Sequence, residues 1–379
     1  PLRRAGAPAA AGAGDRVLHL RRRRQVFTFL DVHERPTLSL LRGFSAPVRL
    51  VTDLDEQDLL FLMAHDQDPY NRWEAGQEMA MRILVRLVAA SGQGLPLAVP
   101  ADFVAAWGQI LERAGGEEEL AALCLTLPSE IMVGDRLPVV EVEPIHAARE
   151  AVRAALARDV APRLLDWHQR LADPGPYMPE PAAMGRRSLR SLCLEILMAS
   201  DDASVRARCY DQAVGGGNLT ERLAALAILA DQPCPERQAA LARFYDDWQA
   251  DPLVLNKWLA VQARASHPET MAQVAALARH PAFTLANPNR VRALVGVFAL
   301  GNQLRFHDPS GAGYRFLVDQ VLALNRTNPV LAARLLHALN RWRRFDHRRQ
   351  GLMQEALNRI LAQPDLAPAV YEVARKALG

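Results

Sequence analysis

The feature that most constrains the fold is a helix-start signal that recurs along the chain. In "DPYNRWEAGQEMAMRILVRLV", Asp68 can cap the free amides of a helix, and Pro69 fits the first helical position, where its missing N–H costs nothing. One apolar face then follows at three- and four-residue steps, formed by Trp73, Ala80, Ile83, Leu84 and Leu87. The same start recurs at Asp251-Pro252, Asn287-Pro288 and Asn328-Pro329.

This helical pattern continues from about residue 54 to the end of the chain. At ordinary helix and loop lengths, it predicts about fifteen to seventeen helices. No consensus recurs at a fixed period, so we expect an irregular, solenoid-like helical array over residues 54–379 rather than a regular repeat family.

Residues 17–53 have a different composition. The stretches "VLHL", "QVFTFLDV" and "FSAPVRLV" carry β-branched and aromatic residues at the density of strands. Three strands bury little core by themselves, so we interpret residues 17–53 as the last strands of a small β-sandwich. Residues 1–16 are expected to be disordered or foreign, and the chain has no initiator Met. The predicted fold class is mainly α, with the helical array preceded by the end of that sandwich.

Charge and composition argue against several classes of protein. No apolar run reaches the ~18 residues that a membrane-spanning helix needs, and the N-terminus has no apolar secretion signal. The net charge is only +3, and all but two of the 45 basic residues are arginine. We interpret the arginine runs at 21–24 and 341–349 as solvated surface rather than a nucleic-acid site. The four cysteines form no CxxC pair, which favours reduced thiols in a cytoplasmic protein.

The usual catalytic motifs are missing from this sequence. A zincin needs two histidines one helical turn apart, and no two of the ten histidines are four residues apart. The stretch "HERPT" at 33–37 begins like HExxH, but Thr37 replaces the second ligand and Pro36 would break the helix. Phosphate-binding and nucleophile-elbow motifs are also missing, and "VGGGN" at 214–218 is interpreted as a helix-to-helix turn. We expect no catalytic residue and no metal site in this chain.

The stretch "FHDPSG" places His307, Asp308 and Ser310 close together, as if for a hydrolase triad. A triad needs the histidine ring between the nucleophile and the carboxylate. Neighbours in a turn point apart, and the proline and glycines mark a loop between two apolar helices. We therefore predict a capped linker.

Two neighbouring helices carry the candidate binding residues. Arg292, Gly296, Ala299 and Gln303 follow i, i+4, i+7 and i+11, a stripe of small and polar residues beside an apolar face. Arg334 lies at the margin of the later helix's packed face. These arginines either reach out to solvent or project into an internal cavity, where a cation would bind a carboxylate or backbone carbonyls.

Several stretches together resemble one family. They are "LLRGFSAPVRL" (40–50), "HDQDPYNRWEAGQ" (65–77), "LTLPSE" (125–130), "NPNRVRALVGVFALGN" (287–302), "FHDPSGAGYRFLVDQVLALNRTNPVLAARLL" (306–336) and "RWRRFDHRRQGLM" (341–353). They spread over nearly the whole of residues 17–379 and are similar to the C-terminal part of the bacterial aminopeptidase N family, which are zinc-dependent, gluzincin-type enzymes.

The resemblance implies a helical domain that caps the active site and encloses a substrate cavity. The family removes single amino acids from peptide N-termini, with zinc polarising the scissile carbonyl and activating water. Its HExxH and GxMEN motifs do not occur here, so it implies that this chain holds no zinc and is inactive alone. Implied partners are peptides and the missing N-terminal and catalytic domains, with no nucleic acid and no membrane. By motif position, Arg292 and Arg334 match arginines of the cavity, and Gln303 joins them by its spacing.

A second hypothesis needs no chemistry. A free-standing helical scaffold would bind a peptide or a protein in its concave face. The two hypotheses differ in what the gene encodes upstream of Pro1.

Overall fold

The computed structural model describes residues 3–4, 16–172 and 175–379. The segment expected to be disordered or foreign, residues 1–16, lies outside the described residues apart from 3–4 and 16. The chain divides into two compact units, Pro1–Met79 and Ala80–Gly379.

The first unit holds short strands and the first helix. Strand β1, Arg3–Arg4, pairs antiparallel with β2, Phe29–Leu30. The other predicted strand segments, 17–20 and 44–51, form no ladder among the described residues. A strand needs a hydrogen-bonded neighbour, and no described segment supplies one to them.

Helix α1, Glu56–His65, begins with a capping box between Asp55 and Asp58. The carboxylate of Asp58 also accepts hydrogen bonds from Arg35 (2.6 Å) and Thr37 (3.1 Å). These contacts fasten the extended segment before α1 onto the start of the helix.

The second unit is a helical array that matches the predicted fold class. Helix α2, Pro69–Gly92, begins in the first unit and ends in the second. The next helices are α3, Ala101–Glu112; α4, Glu118–Leu125; α5, Glu130–Arg136; α6, Val142–Arg170; α7, Pro181–Leu197; α8, Ala203–Gly215; α9, Leu219–Ala230; α10, Pro235–Trp248; α11, Pro252–Arg264; and α12, Thr270–Leu277.

The remaining helices follow in chain order. They are α13, Pro288–Val291; a π-helical turn, Arg292–Gly296; α14, Val297–Gly301; α15, Gln303–Phe306; α16, Ala312–Leu324; α17, Pro329–Leu335; α18, His347–Leu361; and α19, Pro368–Leu378. Short 3-10 turns occupy Arg42–Phe44, Met198–Ser200, Leu336–Leu339 and Trp342–Arg344. No helix in the described part is long and apolar enough to cross a membrane.

The predicted helix starts are confirmed by side-chain caps. Asp251 accepts hydrogen bonds from the amides of Leu253 (2.8 Å) and Val254 (3.1 Å). The side chains of Asp68, Asn287 and Asn328 accept in the same way at the starts of α2, α13 and α17. Each cap provides an acceptor for an amide that has no partner inside its helix. The proline that follows lacks an N–H, but an amide at that position would have no partner within the helix anyway.

Neighbouring helices pack in chain order, as α6 does on α7, α8 on α9 and α10 on α11. The core holds large side chains such as Trp107, Phe244 and Phe298. The indole N–H of Trp107 donates to the carbonyl of Leu125 (3.0 Å), so the buried ring leaves no donor unpaired.

Sequence-distant parts of the second unit also meet. Helix α15 packs on α6, and the amide of Val140 donates to the carbonyl of Arg344 at 2.7 Å. The chain between them therefore returns on itself, which positions the candidate site.

Candidate functional site

The site is built on the helical run from Pro288 to Gly301. Asn287 caps its start, and the apolar face of Val291, Leu294, Val295 and Phe298 is fully buried. A π-helical turn interrupts the run at Arg292–Gly296. A π turn inserts an extra residue into a helix and often occurs at functional sites, because it turns side chains out of the regular helical register.

The run ends at Asn302. Its side-chain amide donates to the carbonyls of Ala263 (2.9 Å) and Ala265 (2.8 Å), and its side-chain oxygen accepts from the amide of Arg305 (2.9 Å). These bonds lock a break between α14 and α15. Gln303 thus lies on a different helix from Arg292, and the prediction of one continuous stripe was wrong. Helical spacing holds only while the helix continues.

Arg292 stands on the exposed side of the π turn. Its Nη1 donates to the side-chain oxygen of Asn289 (2.9 Å). Among the described residues, no carboxylate forms an ion pair with Arg292. A neutral amide orients its guanidinium but leaves the positive charge uncompensated.

Arg334 lies in the last turn of α17, exposed to solvent. No hydrogen bond or ion pair joins its guanidinium to any residue in the described part of the chain. The next residue, Leu335, is buried. A Cβ placed on Gly296 would lie 3.8 Å from Leu335 Cδ2 and 3.9 Å from the Cβ of Arg292. The helices that carry the two arginines therefore touch at Gly296.

Gln303 is half-buried at the start of α15. Its side-chain oxygen is shielded from solvent and has no hydrogen-bond donor among the described residues. A shielded acceptor without a donor costs stability, so this atom is available to a donor from a bound molecule or water.

The "FHDPSG" stretch is a capped linker, as predicted. His307 is buried, and its Nδ1 lies 2.9 Å from the hydroxyl of Tyr314. Its ring stacks on Phe345, with the centroids 4.2 Å apart. Asp308 instead accepts from the amide of Ser310 at 2.9 Å. The three triad-like side chains do not converge, and burial lowers the pKa of His307 to about 3, so the ring is neutral.

A polar cluster that the sequence analysis missed lies on α6 and its neighbours. His146 Nδ1 contacts Glu130 Oε1 at 2.7 Å, and this bond raises the pKa of His146. The guanidinium of Arg153 donates to Glu150 (2.8 Å) and to the carbonyl of Glu195 (2.8 Å). The pairs at one helical turn, such as Glu150 and Arg153, carry a sequence signal. Pairs between residues of different helices, such as His146 and Glu130, leave no such signal in the sequence.

The same region includes Asp231 and Arg305. Asp231 accepts from the amide of Ser266 (2.6 Å), and burial raises the pKa of its carboxyl group. The Nε of Arg305 donates to the carbonyl of Ser266 (2.6 Å). Both charged groups are therefore held by neutral partners of the same short connection between α11 and α12.

The described residues do not suit a zinc ion. No group of three or more histidine, cysteine, aspartate or glutamate side chains lies close enough together there to hold one. The Cys193 thiol is buried and forms no disulfide, and burial raises its pKa to about 12, so this thiol is not a ready metal ligand.

Two family profiles match the chain. A profile described as a domain of unknown function (DUF3458_C) with ARM repeats matches residues 56–379. Another, described as a domain of unknown function (DUF3458) with an Ig-like fold, matches residues 2–53. The helical array and the β-sandwich strands expected from the sequence agree with these descriptions.

The chain is similar to several aminopeptidases. Aminopeptidase N of Caulobacter vibrioides is 40% identical over 350 residues, which are 92% of this chain and 40% of that protein. Aminopeptidase N of Escherichia coli is 34% identical over 380 residues, covering 100% of this chain and 43% of that protein. The crystal structure of Legionella pneumophila aminopeptidase A in complex with aspartic acid matches with a TM-score of 0.82 and 30% identity, over 93% of this chain and 42% of that chain. The chain spans less than half the length of these relatives.

Proposed function

Because the chain belongs to the family described as a domain of unknown function with ARM repeats, we propose that it is the helical C-terminal domain of an aminopeptidase that removes N-terminal amino acids from peptides. The observation that carries this proposal is the extent of the similarity. It covers 92% and 100% of this chain in two aminopeptidases N, but only 40% and 43% of those proteins. In this proposal the zinc ion and the catalytic groups belong to the remaining part of the polypeptide.

The role of this chain is to bind the peptide beyond its first residue. Arg292 and Arg334 supply positive charge, which suits the carboxylate or the carbonyl groups of a peptide. Neither guanidinium is neutralised by a described carboxylate, so an incoming carboxylate has no competitor there. Gln303 supplies a shielded acceptor for a peptide N–H. The contact at Gly296 supports a common site for both arginines.

The test uses the longer polypeptide that contains this chain, with kinetics on a peptide of several residues and on a small amino-acid amide. Arg292→Ala and Arg334→Ala are expected to raise KM for the peptide about tenfold, the effect of losing ~1.4 kcal/mol of binding. KM for the amide stays unchanged, because the amide does not reach the arginines. Gln303→Leu is expected to act in the same direction.

The matched control is Arg348→Ala, an exposed arginine whose side chain has no partner among the described residues. Equal changes for peptide and amide, or changes no larger than in this control, contradict the proposed roles of Arg292 and Arg334. A polypeptide that hydrolyses neither substrate contradicts the aminopeptidase assignment itself.

The cytoplasmic location belongs to the same proposal and is supported by the cysteines, which form no disulfide. The competing scaffold hypothesis is supported by the ARM-repeat description. It predicts that the 379-residue chain alone binds peptides through the same three side chains without turnover.

A further inference from the structure

A loop at residues 39–44 is held in an unusual backbone conformation. Leu41 has φ 54° and ψ 32°, and Phe44 has φ 57°, both in the left-handed region. Gly43 between them has φ 62°. Glycine adopts this region freely, but a bulky leucine or phenylalanine pays a steric cost in it. Something must therefore hold the loop in place.

The connection between α1 and α2 and the first turn of α2 supply the restraint. The Nη1 of Arg42 donates to the buried carboxylate of Asp66 at 2.6 Å. The amide of Gly43 donates to Asp68 at 2.8 Å. The side-chain amide of Asn71 donates to Ser39 Oγ (2.8 Å) and to the carbonyl of Leu40 (2.9 Å). These four bonds join two segments more than 20 residues apart and fix the loop rigidly.

Phe44 of the loop and two rings of α2 form an aromatic patch, defined as Phe44, Tyr70 and Trp73. The ring of Phe44 packs edge-on against Tyr70, with the centroids 4.9 Å apart, and Tyr70 contacts Trp73 at 5.7 Å. Phe44 is nevertheless 61% exposed and Tyr70 41% exposed. Strained backbone that its surroundings hold in place is concentrated at functional sites. Rigid, exposed aromatic rings are typical of the centre of a protein–protein contact.

We propose that the loop 39–44 and the aromatic patch form a docking surface for the part of the polypeptide that the aminopeptidase relatives carry outside the matched region. This inference rests on the proposed function. The chain matches only 40% and 43% of the two aminopeptidases N, so the part of those relatives that lies outside the match is larger than the chain itself, and a part of that kind is the proposed occupant. A pre-ordered surface loses little conformational entropy on binding and suits a permanent contact.

Phe44→Gly tests the surface because it separates docking from folding. Glycine removes the ring and also relieves the left-handed strain, so the 379-residue chain alone is expected to unfold at the same temperature or a higher one. In the longer polypeptide, the same substitution is expected to detach the docked parts. The readout is calorimetry combined with limited proteolysis. The proteolysis rate should rise at least about tenfold.

Leu253→Ser is the matched control, since Leu253 is a 70% exposed apolar residue at the start of α11. A longer polypeptide in which Phe44→Gly and Leu253→Ser resist proteolysis equally overturns the docking surface. A wild-type chain that forms a dimer lost in Phe44→Gly, seen by sedimentation velocity, assigns the patch to a second copy and also overturns it. If the gene encodes no polypeptide longer than these 379 residues, the proposed occupant does not exist and the docking surface is overturned.

Aminopeptidase activity is measured on the same samples. If the wild-type longer polypeptide is active and Phe44→Gly does not change its proteolysis rate, the docking surface is contradicted but the proposed function is not. An inactive wild type that still becomes protease-sensitive in Phe44→Gly contradicts the proposed function and supports the docking surface.

Discussion

The Nε of Arg349 donates a hydrogen bond of 2.6 Å to the backbone carbonyl of His307. The same guanidinium pairs with Asp346 at 2.7 Å and with Glu143 near the start of α6. One buried side chain thus joins the linker before α16, the start of α18 and a helix about 200 residues earlier. It is a main point at which the helical array returns on itself.

Arg349→Gln is expected to lower the free energy of unfolding by about 3 kcal/mol. The substitution leaves a carbonyl and two carboxylates without their charged donor in a partly buried setting. Urea denaturation measures the change. The adjacent Arg348→Gln is the control, because Arg348 is exposed and is expected to change stability by less than ~0.5 kcal/mol. Similar losses in the two variants speak against the role of Arg349 in closing the array.

Gly313 and Gly351 provide a contrasting pair of alanine substitutions. A Cβ on Gly313 would lie 2.3 Å from the carbonyl oxygen of Phe306, a backbone atom that cannot move aside. Gly313→Ala is therefore expected to cost about 3 kcal/mol or more. Gly351 lies inside α18, where no described atom would be within 4 Å of a Cβ, so Gly351→Ala is expected to stabilise by about 0.5–1 kcal/mol. The unfolding temperatures of both variants test this packing. If both temperatures shift in the same direction, the packing described for the two glycines is contradicted.

The buried histidines predict acid sensitivity. Burial lowers the pKa of His307 to about 3 and of His168 to about 4. Each contributes stability that is fully present above the unfolded pKa of about 6.5 and is lost as the pH falls towards the folded value. Around pH 5, each ring takes up about one proton on unfolding, which adds about 1.4 kcal/mol per pH unit to the slope of stability against pH.

His307→Gln is therefore expected to flatten this slope by about 1.4 kcal/mol per pH unit between pH 4.5 and 5.5. Urea denaturation at three pH values gives the slope, and exposed His347→Gln serves as the control. An unchanged slope in His307→Gln means that His307 is not held neutral in the folded protein.

His146 predicts the opposite sign. Its hydrogen bond to Glu130 raises its pKa, so the pair stabilises the fold below the unfolded pKa of about 6.5 and loses this contribution as the pH rises through the folded value. Glu130→Gln is expected to lower the pKa of His146. An NMR titration of the ring protons measures this pKa. If the pKa of His146 is the same in the variant as in the wild type, the hydrogen bond to Glu130 is not what raises it.

Local signals in the sequence predicted much of the helical array. Asp251 caps α11 where the proline that follows it indicated a start. The "VGGGN" turn lies between α8 and α9, with Asn218 capping α9 through a 3.0 Å bond from the amide of Glu221. The linker at Asp308 and Ser310 closes as a turn. All of these depend on contacts within a few residues, which residue type and spacing encode directly.

The tertiary structure decided the rest of the candidate site. The sequence singled out Arg292, Arg334 and Gln303, but it could not show that Gln303 lies beyond a break at Asn302. That break depends on bonds to Ala263 and Ala265, almost 40 residues away.

By itself, the sequence determined that this protein is a helical array, where many of its helices begin and which family it resembles. Only the tertiary structure decided that Arg349 meets Glu143, that Phe44 is held strained against the start of α2 and that the oxygen of Gln303 is shielded, with no donor among the described residues. The physical reason is range. Capping and periodicity act within about four residues, whereas burial and pairing depend on which distant segments the packed chain brings together.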